Sequence, residues 1–360
     1  MNLVCCTDDN YCRHSAVMLT SVFENTIYKN KLNVYILYFS LTEENIELLC
    51  KTLLKYSCEP IFIEVNEEKM LGFHTREHIS KTAYIKVEIP NLLPNIDKVL
   101  YLDGDIVANT DVFELEKIDI EDYYLAAVLD QNLVFSKDLG MNEDNYFNSG
   151  FMLMNLVKWR ETGFTEKIYE YIKSPKNKKN TCDQDAINYA VNGRFLRLDY
   201  EWNYLHCNHN GKVDIDTNLP KIIHYASRNK PWQFLFDLPM KNEYLQYYLK
   251  TPWANVPLRD EYFLKNRKIC IFSASIGGER LLNYLISKGL NVTCFIDNNN
   301  DKWGNVFNGI EVKSPSILKE EEGFLVLIGS ISYEDEIRKQ LNEMGYYGIL
   351  EDKRVFVRLE

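Results

Sequence analysis

The segment KVLYLDGDIV, residues 98–107, restricts the fold more than any other. Four consecutive apolar residues, Val99 to Leu102, run into Asp103 and Asp105 with only Gly104 between them. An unbroken apolar run of this length reads as a strand covered on both faces, as in a parallel sheet with helices packed on each side. On an extended chain residues two apart point the same way, so Asp103 and Asp105 are expected to face one cation, with Gly104 letting the backbone turn. The same residues are common turn formers, and Asp-x-Asp alone is compatible with a plain strand-end turn.

The surrounding pattern supports an α/β fold. NLVCCT, NVYILYF and PIFIEV read as further strands, a helix is expected from near Ser15 to the TSVFEN segment, and LTEENIELLCKTLLKY has helical apolar spacing behind a Thr42 capping box. Strands alternating with helices imply a mostly parallel sheet with helices on both faces, whose ligands sit beyond the carboxyl ends of the strands. The 360 residues suffice for two domains, expected at 1–255 and 256–360. A net charge of -11 disfavours nucleic acid as a partner. Nine irregularly spaced cysteines form no disulfide ladder and no C-x-x-C pair, and no signal-peptide core or membrane-spanning run is evident, so a cytoplasmic location is expected.

Five motifs stand in order: TDDNY at 7–11, LYLDGDIV at 100–107, YFNSGFMLMN at 146–155, CDQDAIN at 182–188 and HYASRNKPW at 224–232. Together they resemble family 8 of the glycosyltransferases, retaining enzymes that include bacterial lipooligosaccharide α-galactosyltransferases and glycogenin. The resemblance covers roughly residues 1–255. It implies a GT-A type nucleotide-diphospho-sugar transferase fold and a reaction moving glucose or galactose from UDP-glucose or UDP-galactose to a glycan, glycolipid or glycoprotein acceptor.

It also implies roles for particular residues. Asp103, Asp105 and His224 would ligate Mn²⁺, with Mg²⁺ as the second candidate, because an imidazole is softer than an all-oxygen set. Gly104 would line the same donor site. Asp8, Asn10 and Tyr11 would form the uridine pocket, although an Asp and an Asn after a first strand also serve as helix caps. Lys230 would neutralise phosphate, and Lys86 stands where the family usually has an arginine. Asn148, Asp183 and Gln184 would line the sugar, with Gln184 near the anomeric carbon and Asp130 between sugar and acceptor. An amide at position 184 is a poor nucleophile, which favours front-face substitution; Asp185 or Asp130 as a covalent nucleophile is the alternative. Ser227 replaces a family glycine. The HCNH segment at 206–209 reads as a loop rather than a zinc site, since it lacks a second ligand pair.

The C-terminal part reads as a small Rossmann-like α/β domain. Its SASIGG turn (273–278) has Ser273 and Ser275 in place of the first two glycines of a dinucleotide-binding loop, and Asp297 stands at the acidic ribose position. Two other functions are compatible with these features: a non-catalytic nucleotide-sugar sensor, and an NAD-dependent nucleotide-sugar epimerase or dehydratase. The latter is disfavoured by the lack of a Tyr-x-x-x-Lys pair in that domain. Residues 227–268 carry eight Lys or Arg against four Asp or Glu, with nine aromatics. Peripheral contact with an anionic membrane and packing against the first domain are the two readings of that segment. A homo-oligomer stays open.

Overall fold

A computed structural model describes residues 1–70, 73, 81–130, 142, 145–174, 182–206, 219–227, 229–233, 238–254, 267–321, 323–330, 332–349 and 352–358. The chain divides into two compact units, one of Met1–Pro231 with Leu238–Asn255 and one of Trp232–Asp237 with Val256–Glu360.

In the first unit, β1 (Asn2–Cys6), β2 (Asn33–Tyr38), β3 (Ile61–Glu64), β4 (Lys98–Leu102), β6 (Leu125–Ala127), β7 (Phe151–Asn155) and β8 (Leu196–Arg197) form one sheet in the order β3-β2-β1-β4-β7-β6-β8. Leu3 to Cys6 and Val99 to Leu102 are all buried, as strands covered on both faces must be. The sheet is mostly parallel, as expected, with one reversed strand. β3, β2, β1 and β4 run parallel, but β7 lies antiparallel to both β4 and β6. Direction is set by how the chain returns to the sheet, and an apolar run such as FMLMN reads the same either way.

A second, three-stranded sheet joins β5 (Ile106–Ala108), β9 (Tyr204–Leu205) and β10 (Ile222–His224) in the order β5-β10-β9. β5 begins directly after Asp105, and its antiparallel register sets His224 opposite Ile106. This pairing carries His224 to the end of the Asp-Gly-Asp turn.

The first helix spans Cys12–Glu24, three residues earlier than expected, because the Asp8 carbonyl already accepts from Tyr11 and Cys12 N–H and starts the turn. Thr42 caps the helix Glu43–Leu54 by accepting from Asn45 N, but without a reciprocal box. The residue at the third helical position is Asn45, and its side chain goes to Asp9 instead.

The helix Lys241–Tyr248 packs on Cys12–Glu24. Its Tyr244, Tyr247 and Tyr248 are buried, as is Trp253, so these aromatics are packing residues rather than a membrane-facing set. Phe234, Phe236, Tyr262 and Phe263 lie outside the described residues.

Tyr244 OH is 2.7 Å from Nδ1 of the buried His14. Burial, reinforced by the positive charges of Arg13 and Lys230, holds the His14 ring well below the usual imidazole value. The unfolded chain therefore binds a proton that the native state refuses once pH falls below about 6.5, and stability drops by up to about 1.4 kcal/mol per pH unit there. Thermal melts from pH 7.5 down to 5.5 should show this slope, and His14→Gln should flatten it. An unchanged slope in the variant would assign the effect elsewhere.

The second unit pairs β11 (Lys268–Phe272), β12 (Val292–Ile296), β13 (Val306–Phe307), β14 (Ile310–Lys313), β15 (Phe324–Ile328), β16 (Tyr346–Ile349) and β17 (Asp352–Arg358) in the order β13-β14-β12-β11-β15-β17-β16. Strand alternation splits its core in two. Ile269, Ile271, Leu325 and Leu327 join the helix Ile276–Ser287 on one side, while Cys270, Phe272, Val326 and Ile328 meet Ile337 and Leu341 of the helix Glu334–Glu343 on the other. All eight cysteines among the described residues are free.

Candidate active site

Asp103, Gly104 and Asp105 form a turn between β4 and β5 rather than a continuing strand. The turn, not strand alternation, brings the two carboxylates together. One ligand atom each from Asp103, Asp105 and His224 lies within 4.8 Å of the others. His224 Nε2 is 3.2 Å from Asp105 Oδ1 and 3.9 Å from Asp103 Oδ2. Two carboxylates and an imidazole nitrogen suit a divalent cation, and both aspartates are anchored by backbone: Asp103 N donates to Gly150 O at 2.8 Å, and Tyr225 N donates to Asp105 O at 3.0 Å.

Gly104 does not supply an unusual φ; it supplies room. A Cβ there would stand 2.7 Å from Ser15 Oγ and 3.4 Å from the Tyr11 ring, so the turn rests directly on the start of the first helix.

Two lysines balance the carboxylates. Lys230 Nζ is 2.5 Å from Asp105 Oδ2. Burial pushes the Asp105 carboxyl up, but the Lys230 ammonium, with His224 beside it, outweighs this and holds the group well below the usual carboxylate range. Lys86 is 1 % exposed and pairs with Asp183 Oδ2 at 2.9 Å and Asp103 Oδ1 at 3.3 Å. Burial opposes its charge, yet Asp103 and Asp183 together raise its pKa above the ordinary lysine value. Lys86, at the family's arginine position, is thus a buried tie between the Asp-Gly-Asp turn and the helix Asp183–Val191. One ammonium, which can donate in three directions, serves both carboxylates.

The sugar-side candidates form one network. Gln184 Nε2 donates to Asp130 Oδ2 at 2.8 Å, and Gln184 Oε1 accepts from Asn148 Nδ2 and from Ser149 N, both at 3.1 Å. Ser149 Oγ donates to Asp183 Oδ2 at 3.2 Å. Asp185 is used otherwise: Tyr146 OH donates to its Oδ1 at 2.6 Å, and Cys182 N donates to its Oδ2 at 3.1 Å to cap the helix. Both oxygens of this buried group are engaged, which argues against its alternative role as a nucleophile.

Asp8 does cap the turn after β1, its Oδ1 accepting from Asn10 N and Tyr11 N, while Oδ2 accepts from Thr82 Oγ1. Asn10 is exposed and Tyr11 half-buried at the same strand end as Asp103 and Asp105. Ser227 Oγ donates to the Asn229 carbonyl and lies 3.2 Å from His206 Nε2, so the hydroxyl finishes the turn a glycine would have left open. His206 Nδ1 lies 3.2 Å from the His224 carbonyl; Cys207 and His209 are outside the described residues.

The sequence reading missed Asn203, Ser149 and Gly150. Asn203 lies in YEWNYL, where no local signal distinguishes it, yet it stands between His224 and Asn148. Gly150 closes FNSG. A Cβ there would fall 2.3 Å from His224 Cε1 and 2.6 Å from Asp103 Oδ2, so the Asp103 and His224 side chains occupy the space a side chain would need.

Residues 2–235 match the sequence model of glycosyl transferase family 8. The chain belongs to that family. Residues 265–353 separately match the family described as C2185-like, N-terminal. A Haemophilus influenzae protein named as a glycosyltransferase is 31% identical over 242 residues, 64% of this chain and 73% of its own. The lipopolysaccharide 1,2-glucosyltransferase of Escherichia coli is 27% identical over 277 residues, 70% of this chain and 79% of its own. The crystal structure of the galactosyltransferase LgtC with donor and acceptor sugar analogs superposes with a TM-score of 0.62 at 24% identity, over 71% of this chain and 99% of that one. The family 8 enzyme therefore has a GT-A-like fold with mixed sheets, and family 8 enzymes use a divalent metal and a nucleotide-sugar donor. Among the described residues no helix is long and apolar enough to cross a membrane.

Proposed function

We propose that this family 8 enzyme is a retaining hexosyltransferase that moves glucose or galactose from a UDP-sugar to a glycan, glycolipid or glycoprotein acceptor with Mn²⁺. The observation that carries the reading is the Asp103, Asp105 and His224 cluster, whose ligand atoms lie within 4.8 Å of one another beside the Gln184, Asn148 and Asp183 network. Names of relatives that include a glucosyltransferase and a galactosyltransferase support a hexose.

When bound, the cation supplies Lewis-acid stabilisation of the leaving diphosphate. Lys230 adds a fixed positive charge at the same turn, and Tyr11 beside Gly104 offers a face for the base. The Gln184 amide, held at both ends by Asn148, Ser149 and Asp130, positions the sugar instead of attacking it. The acceptor oxygen then bonds to the anomeric carbon on the face from which the phosphate oxygen departs, and the acceptor hydroxyl's proton passes to that phosphate oxygen. Configuration is retained.

UDP release from a panel of sugar nucleotides tests the donor: UDP-glucose and UDP-galactose should lead, and EDTA should stop turnover. A preference for a GDP- or CMP-sugar would refute the uridine pocket at Asp8, Asn10 and Tyr11. Proton NMR of the product should show an α-anomeric signal from an α-donor, and a β product would end the retaining assignment.

Residues 265–353 are assigned as a Rossmann-like accessory module, because its parallel strands β14, β12, β11 and β15 stand in the order third, second, first, fourth. Its turn is drawn in on itself. Asp297 accepts from Ala274 N at 2.9 Å and pairs with Lys302 at 2.8 Å, and Ser275 Oγ caps the helix at Gly278 N. Those contacts engage the acidic position that a cofactor ribose would need, which speaks against NAD chemistry.

Membrane docking by residues 227–268 would lack aromatic anchors, since the described aromatics of that segment are buried, and Lys250 is already paired with Glu24. Acceptors presented in solution are favoured. Co-sedimentation with anionic vesicles at low salt should accordingly be weak and equal for wild type and Lys250→Glu; strong binding lost in the variant would reverse the choice.

A further inference from the structure

We infer that Asn203 is a positioning residue that fixes the tautomer of His224 and joins the cation cluster to the sugar-facing amides. The inference rests on the proposed role of Asp103, Asp105 and His224 as metal ligands. Asn203 ends the short turn Tyr200–Asn203 and is 2 % exposed. Its Oδ1 is 3.0 Å from His224 Nδ1, and its Nδ2 is 3.0 Å from Asn148 Oδ1.

Taken singly, either amide could be turned over and either imidazole nitrogen could carry the hydrogen. The backbone removes that freedom. Gly150 N, which can only donate, points at Asn148 Oδ1 from 3.1 Å. The oxygen of Asn148 must therefore occupy that position, so Asn203 must present its NH₂ group to it. The oxygen of Asn203 then faces His224, whose Nδ1 must carry the hydrogen.

A second backbone donor, Ser149 N at 3.1 Å from Gln184 Oε1, fixes the amide of Gln184 in the same way. Asn148 Nδ2 accordingly donates to Gln184 Oε1 at 3.1 Å and to Asp130 Oδ2 at 3.4 Å, and Gln184 Nε2 donates to Asp130 Oδ2 at 2.8 Å. Every donor in the chain points away from His224 and toward the Asp130 carboxylate. The consequence falls at the other ring nitrogen: Nε2, 3.2 Å from Asp105 Oδ1, keeps its lone pair for a cation. Reversing the chain would put the hydrogen on Nε2 and close the coordination site. Outer partners of this kind orient metal-bound histidines generally. Here the same residue also holds Asn148, so one amide serves both halves of the site.

The test separates its two arms. Asn203→Ala removes both; Asn203→Asp keeps an acceptor for His224 Nδ1–H but turns a second oxygen on Asn148 Oδ1. Mn²⁺ affinity is read from the EPR signal of free Mn²⁺ with UDP present and no sugar donor, so nothing turns over. Asn203→Ala should weaken Mn²⁺ binding by about 10- to 100-fold and lower kcat. Asn203→Asp should keep the affinity within about threefold of wild type, while kcat still falls through the Asn148 arm. The inference is overturned if Asn203→Ala binds Mn²⁺ like wild type, or if Asn203→Asp loses Mn²⁺ as fully as Asn203→Ala. Should Asn203→Ala not fold, the Asp variant decides alone: retained Mn²⁺ with lowered kcat supports the bridge, and lost Mn²⁺ or full kcat overturns it. A wild-type enzyme that binds no Mn²⁺ would instead show that the metal assignment, and with it this inference, is wrong.

Discussion

Asp103→Asn should lower UDP release by about 10³-fold or more while leaving the fold intact, because the lost charge serves the leaving group and not the core. The side chain of Asp103 is 31% exposed, and its partner Lys86 keeps Asp183 at 2.9 Å. Asp105→Asn should be as inactive but also less stable. Asp105 is buried and paired with both Lys230 and His224, and removing one member of a buried pair costs about 3–5 kcal/mol, less here because asparagine still accepts one bond and the Lys230 side chain is 15% exposed. The two aspartates are therefore not equivalent, although they look alike in the sequence. UDP release and circular dichroism melts on both variants check this. Activity above a tenth of wild type in a folded Asp103→Asn enzyme would remove Asp103 from the metal site.

Gly150→Ala should be nearly as damaging although it adds only a methyl group. The new Cβ would lie 2.3 Å from His224 Cε1, 2.6 Å from Asp103 Oδ2 and 3.0 Å from His224 Nε2, well inside van der Waals contact. The backbone of Gly150 cannot retreat easily, because its carbonyl accepts from Asp103 N and its N–H donates to Asn148. The imidazole and the carboxylate must therefore part, and a displacement of about 1 Å in such a site costs about 100-fold in rate. Mn²⁺ affinity with UDP present should fall together with kcat. A variant that binds Mn²⁺ normally and turns over normally would mean that the cluster opens without cost.

Much of this was legible in the chain because it is local. Val99 to Leu102 reads as a covered strand, and the FNSG and CDQD segments place polar groups at strand and helix ends, whereas the grouping of His224 with Asp103 and Asp105 follows from the family resemblance and not from any one segment. Ile269 to Phe272 likewise read as a strand, and alternation alone divides its side chains between two cores. Where the sequence is silent, the deciding interaction is distant. β7 is antiparallel to β4 because of the path taken between residues 103 and 150, which no window of apolar periodicity contains. Lys86 stands where the family usually has an arginine, and nothing near it in the chain shows that its partners Asp103 and Asp183 lie 17 and 97 positions away. The aromatics of Lys241–Tyr248 suit a membrane face or a core equally well until the first helix is seen against them.

The sequence by itself determined the kinds of group this enzyme has to work with and the strands and helices that carry them. Composition and periodicity act on neighbouring residues, so a single chain segment suffices to express them. Only the tertiary structure decided which groups meet. β5 and β10 pair across more than a hundred residues to place His224 beside Asp105, and the fixed donor of Gly150 sets the direction of the hydrogen bonds from His224 through Asn203 to Asp130. Hydrogen bonds are directional and short, so their sense is settled by a few ångströms of packing that the order of residues does not contain.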